Sequence, residues 1–274
     1  MQNDHAVRSK FNYTIDDGKV PEVFFYEPPP GTVVNLPGND PQEMRITDGW
    51  AKAESFSLDR HGFALGEFRH DFDAFDDDSA VRNHFYDPVA EFVRTMVGAR
   101  RVIIFDHTIR SKINEKQQNA EHTTTQRAPV MIVHCDYTPD SGPLRVRQVL
   151  PDEADALLRR RVAFYNFWKP LKRRVEEKPL AVCDVTSASP EDMIRMKLRY
   201  RERTGEIFVM RHSSAHHWWY FPHMTPENVL LLKTYESEVD GRARFLGHSA
   251  FDDPTTLPDA PVRESIEIRT MAFF

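Results

Sequence analysis

The chain has 274 residues, 40% hydrophobic and 11% aromatic with 19 Phe, and a formal net charge of −6; this is one large domain or two small ones with ample core, and an acidic balance that argues against nucleic acid as partner. Two cysteines, Cys135 and Cys183, are too few for a disulfide framework and fit a reducing compartment. No apolar run approaches the ~20 residues that span a membrane, and Met1-Gln2-Asn3-Asp4-His5 carries no apolar signal core, so a soluble cytoplasmic protein with no membrane partner is expected.

Val23-Phe24-Phe25-Tyr26 predicts a short strand, stopped by Pro28-Pro29-Pro30-Gly31. Phe63-Ala64-Leu65 predicts another. The acidic stretch Asp71 to Asp78 lacks the glycine of an EF-hand loop and reads as the leader of a helix. That helix is expected over Ala80 to Val97, where Val81, Phe85, Val89, Phe92, Val93 and Met96 recur at helical spacing. Pro88 should kink or split it, and Gly98 should close it. Arg101 to Asp106 predicts a strand. Ser111 to Arg127 is polar and is expected to be a loop or lid.

From Pro129 the pattern turns to short apolar runs. Val130 to Val133 predicts a strand leading into His134. Asp152 to Arg161 predicts a helix, and Val162 to Trp168 and Leu180 to Val185 predict strands. Pro190 to Tyr200 is expected to be helical, because Ser189-Pro190-Glu191-Asp192 offers a cap with proline in the first turn. Glu206 to Met210, Trp218 to Phe221, Val229 to Tyr235, Arg244 to His248 and Ser265 to Phe274 predict five more strands. Short strands without alternating helices point to a sandwich or barrel. The expected class is mainly β with accessory helices, a double-stranded β-helix or jelly roll. It is expected as a single domain over 1–274, with 1–128 an accessory N-terminal part and 129–274 the jelly-roll core.

Residues i and i+2 of a strand project to one face. His134 and Asp136 therefore point together and Cys135 points away. His248, ending the strand with Phe245-Leu246-Gly247, can join them if the two strands are neighbours. Two histidines and one carboxylate hold one face of iron(II) and leave positions open, whereas a structural zinc site is usually closed by four protein ligands. A lone His-x-Asp arises by chance in a chain with 12 histidines, and its place after an apolar run singles this one out. His212, His216, His217 and His223 crowd one stretch without an HExxH glutamate. They are expected to line a pocket or to be structural, with one of them an alternative to His248.

Arg263 and Ser265 share a strand face. A guanidinium grips a carboxylate through two parallel charge-assisted hydrogen bonds, and a serine hydroxyl adds a third donor. The pair suits the distal carboxylate of 2-oxoglutarate. Arg269 shares that face and competes; either arginine could instead pair with Glu264 or Glu267. Spacing from His248 favours Arg263. Substrate contacts are expected from Arg110, Asn166, Trp168, His216 and Tyr220. For Arg110 a surface position after a strand serves equally well, and the aromatic run at Trp218 equally reads as core.

In this order, His134-x-Asp136, His248 and Arg263-x-Ser265 resemble the iron(II)/2-oxoglutarate-dependent oxygenases. Asp106-His107-Thr108-Ile109-Arg110, Asn166-Phe167-Trp168-Lys169-Pro170, Pro179 to Asp184, Trp218 to Pro222 and Arg263 to Arg269 narrow the resemblance to the CmcJ/AsaB-like hydroxylase/desaturase branch, over most of the chain from about Gly98 onward. The resemblance implies a jelly roll, Fe(II) on His134, Asp136 and His248, and 2-oxoglutarate anchored by Arg263 and Ser265. It also implies O2 and a small-molecule substrate, often in secondary metabolism, and hydroxylation or desaturation as the reaction. A cupin-like metal-binding isomerase and a non-catalytic accessory protein share the fold and stay open. The Arg263/Ser265 pair, which a non-oxygenase does not need, discriminates against the first, and the intact metal ligands argue against the second. The oligomeric state stays open, a homo-oligomer included.

Overall fold

Short apolar runs, some of them alternating with polar residues, form two sheets in the computed structural model. The structure describes residues 5–110, 126–127 and 129–274. The larger sheet has nine strands in the order β1 (Ala6–Tyr13), β3 (Asp40–Asp48), β12 (Trp218–Tyr220), β9 (Leu180–Cys183), β14 (His248–Ala250), β7 (His134–Cys135), β11 (Thr204–Met210), β10 (Met193–Arg199) and β2 (Glu22–Phe24). The smaller has six: β4 (Phe63–Glu67), β13 (Asn228–Glu236), β8 (Val162–Pro170), β15 (Ser265–Phe273), β5 (Arg101–Arg110) and β6 (Gln126–Arg127). Among the described residues four short α-helices accompany them: α1 (Asp78–Ala80), α2 (Tyr86–Val97), α3 (Ser141–Val149) and α4 (Ala154–Leu157). This is the expected mainly-β jelly roll with accessory helices. Strands β1 to β6 precede residue 129, so the N-terminal part builds into both sheets.

Three apolar layers hold the sheets. The nine-stranded sheet rolls on itself: the end of β1 returns to β7 and β11 through Val133 N–H to Asn12 C=O at 3.1 Å and Thr14 N–H to Met210 C=O at 2.9 Å. The roll encloses Phe11, Tyr13, Cys135, Cys183, Met210 and Trp218, with Phe11 stacked on Trp218 at 4.2 Å. Between the sheets, Phe63, Trp168, Leu230 and Leu232 meet Val182, Trp219 and Leu246. On the outer face of the smaller sheet, Tyr165, Phe167, Leu231 and Ile268 are covered by Phe85, Val89 and Val93. Truncating an aromatic such as the fully buried Phe167 to alanine should cost about 3–5 kcal/mol.

Several boundaries differ from expectation. The break expected at Pro88 takes the form of a π turn, Val81–Phe85, immediately before α2. Proline lacks the N–H of an i→i−4 bond, and a wider turn accommodates that loss. Gly98 ends α2 at φ 68°, donating to the Arg94 carbonyl. The helix expected over Pro190 to Tyr200 is one 3-10 turn, Pro190–Asp192, followed by β10. Its capping box is present, but Ile194, Met196 and Leu198 alternate with Arg195, Lys197 and Arg199. That period of two matches β11, with which all seven residues pair. The helix expected over Asp152 to Arg161 shortens to α4, and α3 forms ahead of it. The run before His134 carries a single bridge, Ile132 to Asn12, and His248 begins its strand rather than ending one. Most of the expected lid, 111–125, lies outside the described residues; Gln126–Arg127 run parallel to β5.

Candidate active site

Strands β7 and β14 are neighbours, and His134 is the direct cross-strand partner of His248. Asp136 follows β7 on the His134 side, as alternation requires. Its Oδ1 lies 3.5 Å from His134 Nε2 and 3.9 Å from His248 Nε2. The three ligand atoms all fall within 4.8 Å of one another, and among the described residues no other group of His, Cys, Asp or Glu converges in this way.

The ring orientations are set by the backbone. His134 Nδ1 donates to the Ile132 carbonyl at 2.8 Å, and His248 Nδ1 donates to the Leu246 carbonyl at 3.1 Å. A carbonyl only accepts, so each proton resides on Nδ1 and each Nε2 lone pair faces Asp136. Burial, reinforced by His134, lowers the pKa of His248 and keeps the ring neutral. Burial alone would raise that of Asp136, but its polar surroundings, with His134 and His248 beside Oδ1 and the Arg269 guanidinium beside Oδ2, hold it well below the carboxylate range. Two imidazoles and an ionised carboxylate on one face form the donor set of a non-haem iron(II) centre. Cys135 points instead into the roll, where burial pushes its thiol pKa far up and leaves it inert.

A second half-site lies on β15 and the residues before it. Arg263 is 3% exposed; its Nη1 donates to the Lys178 carbonyl, its guanidinium sits 5.8 Å over the Trp168 ring, and its Nε has no partner. The Ser265 hydroxyl is fully buried and also unpartnered. A buried polar group left unpaired costs about 1–3 kcal/mol. Two such groups two residues apart, one cationic, are built for an anionic acceptor. Burial, with Arg110 nearby, lowers the Arg263 pKa to about 9, so added negative charge would relieve the site. Arg110 is the register partner of Ser265, is 9% exposed rather than on the surface, and reaches Glu267 at 3.7 Å. The donor chemistry thus fits both groups that the resemblance implies: iron(II) on the triad, and the far carboxylate of 2-oxoglutarate on Arg263 and Ser265.

Arg269, the competing arginine, is committed elsewhere. It donates to Asp106 at 3.2 Å, to Thr108 Oγ1 at 3.0 Å and to Glu267, and its Nε lies 4.0 Å from Asp136 Oδ2.

The expected substrate contacts separate. Arg110 lines a cavity of about 810 Å³ that His134 and Asp136 also line. Asn166 turns to the metal side and donates to Asp136 Oδ2 at 2.5 Å. Trp168 is packed between the sheets beneath Arg263. His216 and Tyr220 do not reach the cavity. His216 bridges the Tyr13 hydroxyl at 2.9 Å and Asp192 at 3.1 Å, and Tyr220 faces the roll with its ring against Phe251. Alternation along β12 sends Trp219 between the sheets and Trp218 and Tyr220 into the roll. Sequence reasoning missed the cavity walls from β2, α3 and β10, including Val23, Leu144, Met196 and Leu198. The alternation over 193–199 was the available signal for the last two.

The family model described as an oxidoreductase/YMDC permease-like domain matches residues 10–273. The hydroxylase/desaturase efuI of Hormonema carpetanum is 32% identical over 85% of this chain and 84% of its own. The Fe(II)/2-oxoglutarate-dependent dioxygenase nvfI of Aspergillus novofumigatus is 30% identical over 92% and 95%. The solved structure of the iron and alpha-ketoglutarate-dependent endoperoxidase NvfI superposes with a TM-score of 0.87 at 27% identity, covering 98% of each chain. The chain belongs to the iron(II)/2-oxoglutarate-dependent oxygenases, in the hydroxylase/desaturase branch.

Proposed function

We propose that the protein hydroxylates or desaturates a small, largely apolar molecule in secondary metabolism, acting in the cytoplasm as a single oxygenase domain. The observation that supports this most is the pairing of the His134/Asp136/His248 triad with the buried, unpartnered Arg263 Nε and Ser265 Oγ, beside a cavity that reaches the triad.

His134, Asp136 and His248 would hold iron(II), and Arg263 and Ser265 the far carboxylate of 2-oxoglutarate. Together these groups supply O2 activation and hydrogen removal from a C–H bond, coupled to decarboxylation of 2-oxoglutarate to succinate. The protein's part is placement. The backbone carbonyls of Ile132 and Leu246 fix both imidazoles, so neither ring turns when substrate enters. Arg110 places a cation between the anchor and the cavity. Val23, Phe25, Ile132, Leu144, Met196 and Leu198 give the cavity an apolar lining against which the reacting carbon can be oriented. Because the structural neighbour is an endoperoxidase, endoperoxide formation is the second reading.

Anaerobic addition of iron(II) and 2-oxoglutarate tests the reading. A weak visible charge-transfer band is expected in the wild type and not in Asp136→Ala; no band in either sinks it. With candidate substrates, succinate release and product mass separate gain of one oxygen from loss of two hydrogens or gain of two oxygens.

A further inference from the structure

The Asp136 carboxylate is held from two directions. From the nine-stranded sheet, His134 and His248 face Oδ1. From the six-stranded sheet, Asn166 on β8 and Arg269 on β15 face Oδ2, at 2.5 Å and 4.0 Å. Asn166 and Arg269 are themselves register partners, so adjacent strands present them together.

We propose that Asn166 is a positioning residue for the metal ligand: its amide pins Oδ2, so that Oδ1 alone is offered to the face shared by His134 and His248. The inference rests on the triad being a metal site.

Three observations carry it. Arg269 lies beyond hydrogen-bond distance of Oδ2, and its N–H groups go to Asp106, Thr108 and Glu267, so among the described residues Asn166 makes the short contact to that oxygen. The amide cannot flip, because a flip would set its carbonyl oxygen against a carboxylate oxygen. Asn166 also leaves its own Oδ1 buried without a donor, at 1% residue exposure. A residue retained only for packing or for its own hydrogen bonds would be better replaced by an apolar side chain of similar size. A neutral donor has a further merit: it restrains the carboxylate without neutralising it, whereas a cation at that distance would compete with the metal. The clamp also ties the ligand loop after β7 to the opposite sheet.

The test is cobalt(II) titration of apo wild type, Asn166→Ala, Asn166→Leu and Asp136→Ala, following the d–d absorption and Kd together with circular dichroism. Affinity in both Asn166 variants should fall about 10–100-fold. Their d–d band should change in intensity, because a carboxylate free to rotate alters the coordination number, while the folded-state dichroism is unchanged. Asn166→Leu carries the test if the alanine variant fails to fold. Wild-type Kd and spectrum in the folded variants overturn the clamp. Failure of the wild type to bind cobalt, or binding by Asp136→Ala equal to the wild type, overturns the metal-site reading instead.

Discussion

His134 and His248 stand directly opposite each other across β7 and β14, with ring centroids 4.3 Å apart, although they are far apart in sequence. Each ring is turned by a hydrogen bond to a carbonyl two residues before it. The same backbone device is thus used on both strands, and it leaves two lone pairs facing one carboxylate.

This arrangement predicts that metal binding stabilises the fold through these two rings. Saturating apo wild type with iron(II) or cobalt(II) at about 100 times Kd should add about 2.7 kcal/mol, seen as a rise in Tm. His248→Ala should lose that rise, along with 2-oxoglutarate turnover. A metal-induced Tm shift of wild-type size in His248→Ala would refute its role.

Arg263 predicts an unusual split between stability and function. Its Nε is buried and unpaired, with Arg110 nearby. Arg263→Leu removes a buried charge that is only partly compensated, by the Lys178 carbonyl and by Glu267 and Glu177, so urea unfolding of the apoprotein should show little loss of stability. The KM for 2-oxoglutarate should rise by at least about 100-fold, the ~3 kcal/mol expected for a charge-assisted bidentate contact. Arg263→Lys should recover little, because an ammonium lacks the planar fork. An unchanged KM in Arg263→Leu would move the anchor to another residue.

The two candidate half-sites are legible in the sequence because strand alternation is local: His134 with Asp136, and Arg263 with Ser265, each follow from a spacing of two. His248 needed only that two strands be adjacent. Asn166 was not readable in its true place. Its partner Asp136 belongs to the other sheet, and nothing in Asn166-Phe167-Trp168 says which cavity lies across from it. His216 and Tyr220 failed for a similar reason: aromatic and histidine content suggested a pocket, but the roll of the nine-stranded sheet created a second core that absorbed them. Over 193–199 the cap signals a helix and the alternation a strand, and tertiary pairing with β11 outweighs the helix-start signal.

Gly142 predicts a substitution that separates the cavity from the metal. A Cβ there would lie 2.5 Å from Cδ2 of the Tyr235 ring, which is buried and cannot swing aside. Gly142→Ala should therefore push α3 outward and cost about 1–3 kcal/mol, measurable by thermal unfolding. Because Ser141, Leu144 and Arg145 of α3 line the cavity while the ligands sit on β7 and β14, cobalt affinity should be unchanged and substrate binding weakened. A loss of cobalt affinity as large as that of substrate would show that α3 supports the metal centre as well.

Lys169 predicts a pH dependence remote from the active site. It is fully buried on the outer face of β8, in contact with His70 Nε2. His70 Nδ1 accepts the Phe72 N–H at 3.1 Å, so a neutral His70 carries its proton on Nε2. That proton then faces the lysine nitrogen, which can accept it only as a free amine. Burial lowers the Lys169 pKa to about 8, with Glu227 opposing the shift, and burial and Lys169 together lower that of His70. In the unfolded chain lysine titrates near ~10.4, so between about pH 8 and pH 10 the unfolded state binds more protons than the folded state. Stability must then rise with pH across that window, and the cost of charging Lys169 is fully present below it. Urea midpoints measured across the window should climb in the wild type. Lys169→Met should flatten the climb whatever its overall offset, since it has no proton to lose; an equal climb in both would assign the pH dependence to other groups.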